Sequence, residues 1–138
     1  MVKRIAHMAI EISDLQKSLD FYVGALGFEY MFDGKDENGV VKMVYLKICE
    51  GTFIELFATG IHKPERKHYL IGFHHLCLEV EDIHETEAHI KAKGYEIKHS
   101  AVLGGDRSWQ FWVDDPDGNP IEFMQYTVNS LQNMSITN

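Results

Sequence analysis

The chain states one pattern twice, and that constrains its fold more than any other feature. Near the N-terminus, 5–14 reads Ile-Ala-His-Met-Ala-Ile-Glu-Ile-Ser-Asp; later, 72–82 reads Gly-Phe-His-His-Leu-Cys-Leu-Glu-Val-Glu-Asp. Sliding one copy onto the other pairs His7 with His75, Ile10 with Leu78, Glu11 with Glu79, Ile12 with Val80 and Asp14 with Asp82, at an offset of 68. Leu26-Gly27-Phe28-Glu29 then meets Lys93-Gly94-Tyr95-Glu96, and Phe53-Ile54-Glu55-Leu56-Phe57 meets Pro120-Ile121-Glu122-Phe123-Met124, both at 67. An offset held to within one residue at separate places marks an internal duplication. In a chain of 138 residues this reads as one domain, 1–138, built from two modules that share a core.

Each copy spells the same order of elements. Arg4–Ile12 alternates as a strand does, with Ala6, Met8, Ile10 and Ile12 on one face and Ile5, His7, Ala9 and Glu11 on the other. Ser13 and Gln16 make a capping box for a helix carrying Leu15, Leu19, Tyr22 and Leu26 on one side, and Gly27 ends it. Strands are expected over 28–32, 40–49 and 52–59, the last two joined at Glu50-Gly51. The second copy repeats this: a strand over 73–80, a helix capped by Asp82 and stopped by Gly94, then strands over 95–99, 107–113 and 120–126. Asp115-Pro116-Asp117-Gly118-Asn119 is a turn with Pro and Gly where turn geometry wants them. The modules therefore span about 3–60 and 72–127, joined by an aperiodic linker at 61–71 and followed by a loose polar tail at 128–138.

The chemistry lies in four of these strands, each holding one ionisable side chain among apolar neighbours: His7, Glu55, His75 and Glu122. Strand parity puts all of them on the face that no helix covers. A half-buried glutamate in Phe-Ile-Glu-Leu-Phe costs several kcal/mol unless it is paired or bound to a metal. Taken singly, each residue has an ordinary structural explanation. Four at repeat-equivalent positions point to one divalent cation per site, and the mixed nitrogen and carboxylate set suits Ni, Co, Zn or Mn. Of the other histidines, His74 falls by parity on the helix-covered face as a core or interface residue, and the rest lie in the linker, on the second helix or at a strand end.

Charge and apolar runs exclude several partners. A net charge of −8 with no Lys/Arg cluster argues against nucleic acid or an anionic membrane. No apolar run reaches membrane-span length, and Met1-Val2-Lys3-Arg4 leads into a strand, not a signal peptide, so a cytoplasmic protein is expected. Cys49 and Cys77 are expected as reduced, partly buried thiols.

These residues carry a resemblance over nearly the whole chain. The matching pieces are His7-Met8-Ala9-Ile10, Asp14-Leu15, Ser18-Leu19-Asp20-Phe21-Tyr22 leading to Leu26-Gly27-Phe28, Phe53-Ile54-Glu55-Leu56, Phe73-His74-His75-Leu76 and the characteristic 115–123 string Asp-Pro-Asp-Gly-Asn-Pro-Ile-Glu-Phe. The sequence resembles the vicinal-oxygen-chelate superfamily, the glyoxalase I and bleomycin-resistance fold. The resemblance implies an α+β fold in which two tandem βαβββ modules form a cup-shaped, eight-stranded mixed sheet around a metal. It also implies a homodimer acting on a small molecule. The family's four ligand places fall on His7, Glu55, His75 and Glu122.

Within the superfamily, extradiol dioxygenases and fosfomycin-modifying thiol transferases use three ligands, and methylmalonyl-CoA epimerases usually carry Gln where Glu55 stands. Two His and two Glu resemble glyoxalase I (lactoylglutathione lyase). The implied reaction is proton abstraction next to a carbonyl through a metal-stabilised enediolate, with Glu122 as the base and Glu55 the symmetric second candidate. Bleomycin-resistance-type members, which only sequester a ligand, supply the alternative without chemistry. One departure concerns the thiol. Bacterial glyoxalase I usually has an arginine and an asparagine for glutathione where this chain has Glu11 and Thr59, and a carboxylate repels a glutathione carboxylate. Arg107 is a candidate for the missing positive charge, with Trp109 and Phe111 as candidate pocket walls.

Overall fold

The alternation in each repeat folds into its own four-stranded sheet. The computed structural model describes residues 1–62 and 71–136, which fall into two units, Met1–His68 and Tyr69–Asn138. Most of the expected linker over 61–71 lies outside the described residues.

In the first unit, β1 (His7–Glu11) is followed by α1 (Leu15–Leu19) with a π-helical continuation (Asp20–Ala25), then β2 (Glu29–Lys35), β3 (Val41–Cys49) and β4 (Thr52–Phe57). The sheet order is β1-β4-β3-β2, with β1 parallel to β4 and the other pairs antiparallel. Gly51, at φ +73°, supplies the left-handed residue of the tight β3–β4 turn. One sheet face is the core: Val44, Leu46, Ile54 and Leu56 are buried, together with Ile12, Phe21, Tyr22, Ala25 and Phe28. Side chains of this size each stabilise the fold by ~1.5–3 kcal/mol when fully buried.

The helix departs from expectation in two respects. Its N-cap is Asp14, whose carboxylate accepts from Lys17 N at 3.1 Å, rather than Ser13. Its buried stripe is Ser18, Phe21, Tyr22 and Ala25, one step from the expected Leu15, Leu19, Tyr22 and Leu26. From Asp20 the helix widens: Leu26 N donates to Phe21 O at 2.9 Å, five residues back.

The second unit repeats the plan: β5 (Leu76–Glu79), α2 (Ile83–Ala92), β6 (Val102–Leu103), β7 (Trp109–Asp114) and β8 (Pro120–Gln125), in the order β5-β8-β7-β6. The α+β class and the two βαβββ modules thus stand as expected. Asp82 caps α2, accepting from His84 N and Glu85 N at 2.9 Å each. Ile83 and Ile90 of α2 are buried, as are Phe111, Val113, Ile121 and Phe123 of the sheet, and the stacked rings of Phe111 and Phe123 lie 4.8 Å apart. Asp115 ties its turn together, accepting from Asp117 N at 2.9 Å and Asn119 N at 2.7 Å, with Gly118 at φ +82°.

Two expectations fail here. The strand over 95–99 is absent; the edge strand beside β7 is Val102–Leu103 instead. Tyr95 N instead donates to Ile90 O at the end of α2, and Ala101 N donates to the Glu87 carboxylate at 2.9 Å, so this backbone is held by the helix and not by a sheet edge. The expected loose tail contains a short helix, α3 (Leu131–Ile136). Buried Ser130 starts it, accepting from Asn133 N at 3.3 Å, and Asp106 holds it through Leu131 N to the Asp106 carbonyl and Gln132 Nε2 to its carboxylate at 2.7 Å.

Candidate functional site

Each unit carries a His–Glu pair on the sheet face opposite its core. In the first, Glu55 lies between buried Ile54 and Leu56, so alternation turns it to the other side, where His7 Nε2 stands 4.0 Å from Glu55 Oε2. In the second, Glu122 lies between buried Ile121 and Phe123, and His75 Nε2 is 3.0 Å from Glu122 Oε2. The pairs differ in exposure: the side chain of Glu55 is 18% accessible and that of Glu122 only 7%.

Aromatic rings frame both pairs, and sequence reasoning missed them. Tyr45 sits across from Glu55 in register, its ring 5.7 Å from His7, 5.4 Å from Phe53 and stacked on Phe32 at 4.9 Å. Trp112 sits across from Glu122, its ring edge-on to His75 at 4.7 Å. Cys77 flanks Glu122 on the other strand. Partial loss of water, then the charge and hydrogen bonding of Glu122, push the Cys77 thiol up to about 12. Both cysteines are free, and each residue is exposed on the whole rather than partly buried as expected.

His74 is also placed differently. It is exposed, because β5 begins only at Leu76 and strand parity does not reach back to it. Its Nδ1 contacts His75 Nδ1 at 2.8 Å.

The candidate substrate residues scatter. Glu11 ends β1 on the His7 face, and its carboxylate accepts from Thr59 Oγ1 at 2.7 Å. Arg107 lies in the turn before β7 instead of on the strand, in a left-handed conformation at φ 66°, with Nη1 3.9 Å from Met134 Sδ. Trp109 and Phe111 do not line the face that bears Glu122. They alternate with Trp112 onto the core side, where Phe111 is 1% exposed and Trp109 meets His84 of α2 at 5.2 Å. Gln110 and Trp112 occupy the face that bears Glu122.

The donors suit a divalent cation. Two donors at about 2.1 Å from one ion stand ~3.0 Å apart when adjacent and ~4.2 Å when opposite, and both His–Glu separations fall in that span. Among the described residues no group of three or more His, Cys, Asp or Glu is gathered closely enough to hold an ion, so each unit by itself presents two of the four donors.

The family model described as "Glyoxalase/Bleomycin resistance protein/Dioxygenase superfamily" matches residues 4–123. A probable lactoylglutathione lyase of Vibrio cholerae is 32% identical over 130 residues, covering 88% of this chain and 90% of that one. A lactoylglutathione lyase of Neisseria meningitidis is 27% identical over 128 residues, with the same coverage of 88% and 90%. Among solved structures, a glyoxalase family protein from Enterococcus faecalis superposes with a TM-score of 0.75 at 28% identity, over 88% of this chain and 97% of that one.

Proposed function

Because the chain belongs to the Glyoxalase/Bleomycin resistance protein/Dioxygenase superfamily, we propose that it is a metal-dependent isomerase of the glyoxalase I kind. Its substrate on this reading is the adduct of a thiol with a 2-oxoaldehyde. The observation that carries the reading is the pair of His–Glu couples at repeat-equivalent positions, each turned away from its own core.

His7, Glu55, His75 and Glu122 would hold the cation, taken from one chain or shared between the chains of a homodimer. A bound divalent cation supplies positive charge to the two vicinal oxygens of the adduct as they become negative. Glu122 takes the proton from the carbon that bears sulfur and returns it to the neighbouring carbonyl carbon, while the hydroxyl proton passes from the first carbon's oxygen to the second's, so the ketone becomes an alcohol and the thiohemiacetal carbon becomes a thioester carbonyl. No oxidant is needed. Near-complete burial keeps water from competing with the carboxylate for that proton. Tyr45 and Trp112 stand opposite the two glutamates in register, and their rings restrict how His7 and His75 turn.

Glu11 supports a thiol other than glutathione. Its carboxylate is fixed by Thr59 on the same face as His7, and no Lys or Arg among the described residues pairs with it, so it repels a carboxylate brought to that place. The test is thioester formation by nickel-reconstituted protein given methylglyoxal with glutathione and, in parallel, with other low-molecular-weight thiols. Faster turnover with a thiol lacking glutathione's carboxylate, together with gain of glutathione turnover in Glu11→Arg, is the expected outcome. Silence with every thiol, on protein shown to hold metal, would reject the isomerase. Sedimentation of the same protein as a monomer would reject the homodimer.

A further inference from the structure

The contact between His74 and His75 joins two ring nitrogens, Nδ1 to Nδ1, at 2.8 Å. Such a contact holds only when one nitrogen carries a proton and the other a lone pair. The other nitrogen of His75, Nε2, faces Glu122 Oε2 at 3.0 Å. Two lone pairs do not face each other at that distance, so either a proton or a cation stands between them.

With a proton there, neutral His75 is protonated on Nε2 and its Nδ1 accepts from His74. With a cation there, the Nε2 lone pair is given up to the cation, and the proton of His75 moves to Nδ1. That proton must then be donated to His74 Nδ1, and the proton of His74 moves to its own Nε2. Both rings stay neutral throughout, and the count of two protons is unchanged. His74 is suited to this exchange because it can present Nδ1 as donor or acceptor while remaining in contact, and because it is exposed, so water can serve its other nitrogen. A ligating histidine usually donates its remaining N–H to a fixed partner, which sets the tautomer.

We propose that His74 is the positioning residue of His75, its Nδ1 accepting the hydrogen bond that holds His75 in the tautomer with Nε2 free for a divalent cation. The proposal rests on the metal reading above but not on any substrate. The two rings also touch edge-on, with centroids 5.0 Å apart, so packing must be separated from hydrogen bonding. His74→Phe keeps a ring and removes the nitrogen; His74→Asn places a carbonyl oxygen near the position of Nδ1.

The experiment is a competition titration of apo protein with Zn²⁺, together with ¹⁵N chemical shifts of His75 in the zinc-loaded form. His74→Phe is expected to bind Zn²⁺ about 10- to 100-fold more weakly than wild type, with His74→Asn within about threefold. The loaded wild type should carry its His75 proton on Nδ1. Unchanged affinity in folded His74→Phe, equal loss in both variants, or a His75 proton on Nε2 in the loaded form would each overturn the proposal and leave the metal site standing. Failure of wild-type protein to bind Zn²⁺ would remove the metal reading, and this inference with it.

Discussion

Replacing Glu122 by Gln separates the carboxylate's chemistry from its shape. The amide keeps the volume and one acceptor oxygen toward His75 Nε2, now 3.0 Å away, and loses the charge and the basicity. A positioned general base contributes about 10²- to 10⁴-fold to rate, or ~2.7–5.5 kcal/mol of barrier. The position within that range follows from how easily water can take over as the base. With 7% of the Glu122 side chain accessible, water can replace it only poorly, which puts the loss in turnover near 10³-fold. Glu55, at 18% and 4.0 Å from its histidine, is the more open and looser of the two, so Glu55→Gln at saturating metal should cost only about tenfold. The assay is thioester formation under nickel concentrations that fill both variants, with occupancy measured on the same samples. A filled Glu122→Gln protein turning over within threefold of wild type would refute the reasoning, as would a larger loss from Glu55→Gln.

Four further outcomes follow from the packing and hydrogen bonding. Phe111→Ala removes a ring that is 1% exposed and stacked on Phe123, and should cost about 3–5 kcal/mol in urea unfolding with metal affinity unchanged in the folded fraction. Trp112→Ala should do the reverse, weakening metal binding about tenfold through His75. Glu87→Ala leaves Ala101 N without its acceptor and should cost about 1–3 kcal/mol, with faster hydrogen exchange at the Ala101 amide; its ion pair with exposed Lys91 adds little. Hydrogen bonds from Gln132 and then from Ser108 N hold the Asp106 carboxyl below the usual range. A depressed folded value means this support for α3 is complete above about pH 4 and fades as pH falls through the lower folded value, so Asp106→Asn should flatten the acid limb of the stability curve.

The fold was legible because a duplication fixes topology without any alignment. An offset of 67 or 68 residues tells which strands are equivalent, and turn chemistry at Glu50-Gly51 and 115–119 says where the hairpins close. The cross-strand neighbour of Glu122 is legible as well. The 115–119 turn pairs Asp114 with Pro120, and two steps back along each strand put Trp112 opposite Glu122. Trp109 and Phe111 lie on the other parity, and hydrophobicity alone could not distinguish the two faces because aromatic residues stand on both. The missing 95–99 strand had the right alternation in Tyr95 and Ile97. It lost to a buried carboxylate four residues before Lys91, whose hydrogen bond to Ala101 N no period reveals.

The two halves follow one pattern and differ in how they surround their His–Glu pairs. The second has drawn its pair to 3.0 Å, buried the glutamate and placed Trp112, Cys77 and His74 around it, while shrinking its edge strand to Val102–Leu103. The first keeps a seven-residue edge strand, a pair 4.0 Å apart and an accessible run of rings from Phe53 through Tyr45 to Phe32, with Glu11 and Thr59 farther along the same face. A carboxylate that must accept and return a proton gains from a tight, dry, oriented setting. A surface that must admit and choose a thiol adduct gains from openness and from side chains that can be exchanged without disturbing the core. On the isomerase proposed above, a change at Glu11 would alter which thiol is accepted while leaving the Glu122–His75 pair untouched.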